Sequence, residues 1–92
     1  MTVLIEEKSM ITLFNPGSQG NLMGKESARR LGVVLRKQKQ PIQPYRVRGQ
    51  IITNGLITED TELVKLRIRN HEEWICFKVT LTEKEDIILD LF

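Results

Sequence analysis

The chain has 92 residues, of which 40% are hydrophobic and 28% are charged. This length and composition predict one globular domain that spans residues 1–92. The net charge of +2 at pH 7 is too small to indicate a nucleic-acid-binding protein by itself. The single cysteine excludes an internal disulfide, and no apolar run approaches the roughly 20 residues that a membrane span requires. We therefore expect an intracellular, cytoplasmic protein without a signal peptide or membrane segment.

Residues 2–14 have the pattern of a β-hairpin. Residues 2–5 are rich in β-branched side chains, residues 6–8 are polar, and residues 9–14 are again mostly apolar. This order predicts two strands joined by a turn. A proline and a glycine at positions 16 and 17 then end the second strand.

One segment, residues 25–31, has the pattern of a helix. Ala28 and Leu31 lie three positions apart on one face, whereas Lys25 and Arg29 fall on the outer side. Gly32 follows directly and suits the left-handed position that commonly ends a helix.

The middle of the chain predicts a loop and a second hairpin. Residues 36–40 (RKQKQ) form a basic run, which we interpret as a solvent-exposed loop. Residues 45–57 have a hairpin pattern, with Gly49 and the Asn54-Gly55 pair as turn residues.

The last third of the chain predicts three strands. Residues 63–69 alternate between apolar and charged side chains, which is typical of a half-buried strand. A turn at residues 70–72 leads into a strand at 74–79, and residues 86–89 form a last short apolar strand. The sum is a mostly-β fold with one short helix, and the pattern alone leaves a barrel and a sandwich equally open.

Seven short motifs occur in a characteristic order and spacing. They are 13–18 (LFNPGS), 20–22 (GNL), 30–33 (RLGV), 41–42 (PI), 47–49 (VRG), 70–73 (NHEE) and 86–90 (DIILD). Together they resemble the retropepsin domain, the retroviral-type aspartic protease, of gypsy-class LTR retrotransposons. The resemblance extends over essentially the whole chain.

The resemblance implies a small closed barrel of the acid-protease type, with a psi-shaped loop at residues 15–17. It also implies a homodimer that binds a peptide or polyprotein segment in a shared site, with no cofactor and no metal. Each chain of such a dimer contributes one aspartate. In this sequence the aspartate position holds Asn15, the following Ser/Thr position holds Pro16, and Gly17 is retained. The glycine that ends the last motif is replaced by Asp90.

Asn15 cannot perform the chemistry of the aspartate that it replaces. The two carboxyls of an aspartic protease share one proton, so that one acts as general base on water and the other as general acid. An asparagine amide has no proton that titrates near neutral pH. Loss of general acid–base catalysis costs a factor of about 100 to 10,000 in rate. We therefore expect the chain to be inactive as an endopeptidase.

Two further features bear on the expected homodimer. Pro16 has neither the hydroxyl nor the N–H that would support the loop across the dimer axis. Because the chain stops at Phe92, we expect it to lack the C-terminal strand that builds the dimer sheet in many retroviral relatives. Both features weaken the expectation of a dimer.

The resemblance also makes the second hairpin a flap that closes over the substrate. The residues expected in it are Arg48, Gly49, Gln50, Ile51, Ile52 and Gly55. Gly49 and Gly55 supply hinge freedom, and the two isoleucines supply an apolar tip. An ordinary hairpin with a loose turn is the alternative reading.

Other candidate sites are weak. His71 and Cys76 are too few for a zinc site, which needs three or four protein ligands. Nucleic-acid binding by the basic run 36–39 is not favoured, because no aromatic residues are interleaved with it. Glu59, Asp60 and Glu62 are interpreted as surface charge.

Three functions remain open from the sequence. The first is a degenerate retropepsin-like domain that is kept for peptide binding or assembly. The second is an aspartic endopeptidase that processes a Gag-Pol-type polyprotein and is silenced by an Asp-to-Asn change, natural or introduced in the laboratory. The third is a small β-barrel that binds nucleic acid.

Overall fold

A computed structural model of the chain describes residues 3–15, 20–42, 46–47, 50–51, 54–82 and 84–90. These residues form twelve strands and one helix, so the predicted mostly-β class with one short helix is confirmed. The elements in chain order are β1 Val3–Ile5, β2 Lys8–Ser9, β3 Thr12–Phe14, β4 Leu22–Gly24, α1 Lys25–Leu31, β5 Leu35–Ile42, β6 Arg46–Val47, β7 Gln50–Ile51, β8 Asn54–Thr61, β9 Val64–Ile68, β10 His71–Ile75, β11 Lys78–Leu81 and β12 Ile87–Leu89.

The first sheet has four antiparallel strands in the order β10-β9-β1-β2. Strands β1 and β2 form the predicted hairpin, but it is short. Glu6 and Glu7 turn the chain with positive φ angles of 49° and 68°, the geometry of a two-residue hairpin turn. Residues 9–14 were expected to continue one strand. They divide between β2 and β3, which belong to different sheets, because β3 pairs with β12 instead.

The second sheet has six strands in the order β3-β12-β4-β11-β8-β5. Its parallel pairs are β3 with β12 and β4 with β11, and its other pairs are antiparallel. Strand β12 therefore lies between β3 and β4, although the chain connects β3 directly to β4. A separate two-stranded ladder joins β6 and β7. Among the described strands each sheet keeps two edges, so the ladders form open sheets and do not close into the ring of a barrel.

The core lies where the inner faces of the sheets meet helix α1. Strand β12 contributes three fully buried residues in succession, as expected for a strand that is covered on both faces. Each such side chain contributes about 1.5–3 kcal/mol through the loss of apolar surface to water. The buried hydrophobic side chains are Val3, Ile5, Leu22, Met23, Ala28, Val64, Leu66, Phe77, Val79, Ile87, Ile88 and Leu89.

Helix α1 begins and ends where the sequence predicts. Ala28 faces the core, and Lys25 and Arg29 are exposed. Gly32 adopts the left-handed conformation with φ 71°, and its N–H donates to the carbonyl oxygens of Ala28 and Arg29. A residue with a Cβ would be strained in this conformation, which explains the glycine.

Three local predictions were wrong, and in the first two pairing within a sheet overrides local preference. The basic run 36–40 is part of strand β5, not a loop. Asn54 and Gly55 begin strand β8 instead of forming a turn. The expected strand 74–79 is interrupted at Cys76–Phe77 and divides into β10 and β11.

Candidate active-site loop

Asn15 lies directly after β3, where the resemblance places the catalytic aspartate of the family. The register of β3 with β12 pairs Leu13 with Ile88 and Phe14 with Leu89. The backbone N–H of Asn15 continues this ladder by donating to the Leu89 carbonyl oxygen at 2.9 Å. The position of Asn15 is therefore determined by the C-terminal end of β12.

Asn21 holds the other end of the connection between β3 and β4. Its side-chain Oδ1 accepts a hydrogen bond from the backbone N–H of Asp90 at 2.8 Å. Its backbone carbonyl accepts one from Lys78 at 2.9 Å, so its main chain is attached to β11. Gly20, just before it, has φ 139°, a conformation that other residues rarely adopt.

Strand β12 lies between β3 and β4, the strands that precede Asn15 and follow Asn21 in the chain. The psi-shaped course that the resemblance implies for residues 15–17 stays a prediction. Pro16 and Gly17, the other two residues expected in the loop, lie outside the described residues. The structure thus places Asn15, half-buried, at the end of β3, with its backbone held by β12.

Asp86 joins three elements at the opposite end of β12. Its Oδ2 accepts the N–H of Ile11 at 2.8 Å, and its Oδ1 accepts the Ser27 hydroxyl and Arg30 Nη2, each at 2.6 Å. The side chain is only 14% exposed. Its backbone also bonds Ile11 and Gly24. Asp86 therefore attaches helix α1 and the segment just before β3 to the start of β12.

The charge of Asp86 is stabilised by these partners. Burial by itself acts to raise the pKa of this carboxyl, but the hydrogen bonds from Ser27 and Ile11 and the positive charge of Arg30 outweigh it. The pKa of Asp86 is consequently below its ordinary value of 3.8. The sequence indicated Asp86 only as the first residue of a motif, because its partners are 56 or more positions away.

A cleft of about 220 Å³ lies beside this cluster, next to helix α1. Its lining includes the polar residues Lys25, Ser27, Arg30, Thr82 and Asp86. It is located at the end of β12 opposite to Asn15, so it does not coincide with the site expected from the sequence.

The expected flap is described only in part. Gln50 and Ile51 form strand β7, whose backbone pairs with Val47 and Arg46. Arg48, Gly49 and Ile52 lie outside the described residues, and Gly55 belongs to β8. An antiparallel pair of strands is therefore present at this point of the chain, and its role as a flap stays a prediction.

The basic run on β5 faces acidic partners on β8. The register pairs Arg36 with Asp60 and Lys37 with Glu59, and Arg36 Nε lies 3.6 Å from Asp60 Oδ1. Cross-strand pairs of opposite charge stabilise a sheet. The acidic residues 59 and 60 thus offset part of the positive charge that a phosphate backbone would require.

The remaining candidates from the sequence do not converge. His71 is the first residue of β10, and its Nε2 lies 3.1 Å from Glu73 Oε2. Cys76 is exposed, with Arg36 Nη2 3.8 Å from its sulfur. No group of three or more metal-binding side chains occurs among the residues that the structure describes. In the same residues no helix has the length and apolar character to cross a membrane.

Comparison with known families identifies the chain. Residues 11–91 match the model of the PEG10/RTL1 protease domain, which covers the segment from just before β3 to the end of the last motif. No curated protein matches the sequence. Because the matched segment is most of the chain, the chain belongs to the PEG10/RTL1 protease domain family, a retropepsin-like family derived from retrotransposons.

Proposed function

We propose that this chain is a retropepsin-like domain that cannot hydrolyse peptide bonds and that retains peptide binding. The observation that carries the proposal is the position of Asn15, directly after β3 and bonded to the end of β12. This is where the resemblance puts the reacting carboxyl. An amide at this point accepts and donates hydrogen bonds but does not exchange a proton with water near neutral pH.

The loss of catalysis is expected to be nearly complete in a homodimer. Both halves of the shared site would present Asn15, so no carboxyl from this position would remain to act as base or acid. Because the two carboxyls of such a pair work as a unit, losing both costs more than losing the acid–base contribution of one.

Peptide binding does not require the missing carboxyl. The wall of the proposed cleft is formed by β-strands, and an extended peptide binds such walls largely through main-chain hydrogen bonds. The hairpin of β6 and β7 is the proposed flap, with Arg48, Gly49, Gln50, Ile51, Ile52 and Gly55 as its residues. The family membership supports this assignment.

We further propose that residues 1–92 act as one domain, that two copies associate, and that the protein works in the cytoplasm. A shared cleft between two copies is the arrangement that the resemblance implies. The exposed free thiol of Cys76 is compatible with a reducing compartment. The gypsy-class origin of the domain belongs to the same proposal.

Restoring the carboxyl tests the proposal. The unsubstituted chain, Asn15→Asp, and Asn15→Asp with Pro16→Ser are incubated with a broad peptide library between pH 4 and 7. We expect no cleavage by the unsubstituted chain. Asn70→Asp, in the exposed turn between β9 and β10, is the matched control and should also stay inactive.

The outcomes distinguish a domain that lost activity through one substitution from a domain whose whole site has degenerated. Cleavage by the unsubstituted chain, blocked by a transition-state inhibitor of aspartic proteases, would refute the proposal. Cleavage that returns with Asn15→Asp alone favours an endopeptidase silenced by one change, which is the second candidate function. Inactivity of both restored variants favours long-standing degeneration of the site.

A further inference from the structure

Asn15 and Asn21 hold opposite sides of a single peptide group. The carbonyl oxygen of Leu89 accepts the N–H of Asn15 at 2.9 Å, and the N–H of Asp90 donates to Asn21 Oδ1 at 2.8 Å. The Leu89 carbonyl and the Asp90 N–H belong to the same peptide bond. No cis peptide bond occurs among the described residues, so this group is planar and trans, and its oxygen and hydrogen point in opposite directions.

We propose that Asn21 is a positioning residue for Asn15. Its side-chain amide fixes the last peptide group of β12, and that rigid group in turn fixes the backbone of Asn15. The inference rests on the proposed function in one respect, namely that Asn15 faces the bound peptide.

Asn21 is suited to this role because it is itself held firmly. Its backbone carbonyl accepts the N–H of Lys78 on β11, and the next residue, Leu22, is fully buried in β4. Its side chain is half-buried, which separates it from a solvated surface asparagine such as Asn70. Asn21 is therefore anchored through both its backbone and its side chain.

The chemistry of the link restricts which residues can replace Asn21. The donor is a backbone N–H, so the side chain at position 21 must carry an acceptor oxygen. That oxygen must lie as far from the backbone as the Oδ1 of an asparagine or aspartate. Aspartate at position 21 keeps such an oxygen, whereas alanine removes it. Two hydrogen bonds in line through one peptide group also polarise each other, so that losing one weakens the other.

The first experiment uses the unsubstituted chain, labelled with ¹⁵N and ¹³C for NMR. A scalar coupling across the hydrogen bond between the Asp90 amide nitrogen and the Asn21 side-chain carbonyl carbon is expected, together with slow hydrogen exchange at the Asp90 amide. This measurement does not depend on the folding of any variant. Absence of the coupling combined with fast exchange would overturn the proposal.

The second experiment compares Asn21→Ala, Asn21→Asp and the matched control Asn70→Ala. In Asn21→Ala, hydrogen exchange at the Asp90 amide should accelerate by roughly tenfold or more, as expected for the loss of one hydrogen bond. The backbone amide resonance of Asn15 should shift as well. Asn21→Asp should restore both signals, and Asn70→Ala should change neither. An Asn15 resonance that is the same in all variants would overturn the proposal.

Peptide binding is measured separately, with a statine-containing peptide as the probe. We expect Asn21→Ala to bind it roughly tenfold more weakly than the unsubstituted chain, with recovery in Asn21→Asp. If the unsubstituted chain does not bind the probe while Asn21→Ala still shifts Asn15, binding of such peptides is refuted and the positioning role stands. If all variants bind equally and Asn15 does not shift, the positioning role is refuted.

Discussion

At the scale of the residue, Thr61 shows how one buried hydroxyl stabilises an interruption between two strands. Its side chain is fully buried, and its Oγ1 accepts the N–H of Phe77 at 2.9 Å. Its own N–H donates to the Phe77 carbonyl at 2.8 Å. Phe77 lies in the break between β10 and β11, where no strand partner satisfies its backbone N–H. The hydroxyl of Thr61 takes the place of that partner.

We expect Thr61→Val to lower the free energy of unfolding by about 1–3 kcal/mol, because it leaves the buried N–H of Phe77 without an acceptor. Valine has nearly the same shape as threonine, so the loss reports the hydrogen bond more than the packing. Urea denaturation followed by the fluorescence of Trp74 measures it. Thr61→Ser keeps the hydroxyl and should lose less; equal losses in both variants would contradict this explanation.

At the scale of the element, Asp86 determines how helix α1 sits against the second sheet. It bonds Ser27 and Arg30 on the helix and Ile11 just before β3. The two carboxylate oxygens both act as acceptors, one toward Ile11 and one toward the helix. A neutral amide has only one oxygen, so it would turn its NH₂ group toward one of these donors.

We expect Asp86→Asn to lower the free energy of unfolding by about 2 kcal/mol at pH 7, because charge-assisted hydrogen bonds are lost. The pKa of Asp86 is lowered in the folded state. Its ionised carboxylate therefore contributes to the stability of the fold at pH values above the ordinary pKa of 3.8. That contribution is lost as the pH falls through the lower, folded-state pKa. Denaturation curves measured from pH 7 to pH 2 report both effects.

The control for Asp86 is the exposed pair of Glu26 and Arg29 on the same helix. Solvent-exposed ion pairs contribute little to stability, so Glu26→Gln should have little effect at pH 7. The acid-dependent loss should therefore be reduced in Asp86→Asn and largely retained in Glu26→Gln. If the free energy of unfolding changed with pH in the same way in Asp86→Asn and in the unsubstituted chain, Asp86 would not be the source of the acid-dependent loss of stability.

At the scale of the whole molecule, the proposed association of two copies is the feature that decides whether a shared cleft exists. A chain of 92 residues buries a small core, and association adds stability to such a domain. The net charge of +2 is too small for repulsion between copies to oppose it strongly.

We expect sedimentation velocity at micromolar concentrations to show a dimer in equilibrium with monomer, with the dimer fraction rising as concentration increases. The reason is that a two-fold site of the retropepsin type is complete only when two copies meet. A pure monomer over the whole range would remove the shared cleft. It would leave peptide binding to a single copy.

Helix α1 could be predicted from the sequence because its signals are local. The apolar spacing of residues 25–31 and the left-handed Gly32 act within one or two turns, so distant parts of the chain have little influence on them. The half-buried strand β9 is a similar case, because alternation of apolar and charged residues expresses its two faces directly. The inability of an amide at position 15 to act as general acid or base also follows from residue identity alone.

Tertiary structure alone decided the features that depend on distant partners. The basic run became strand β5 because it pairs with β8. Asn54 belongs to β8 as well, where it pairs with Leu81 of β11. The link from Asn21 through the peptide after Leu89 joins residues 69 positions apart. No local pattern encodes such contacts, since their free energy appears only once the strands have been brought together.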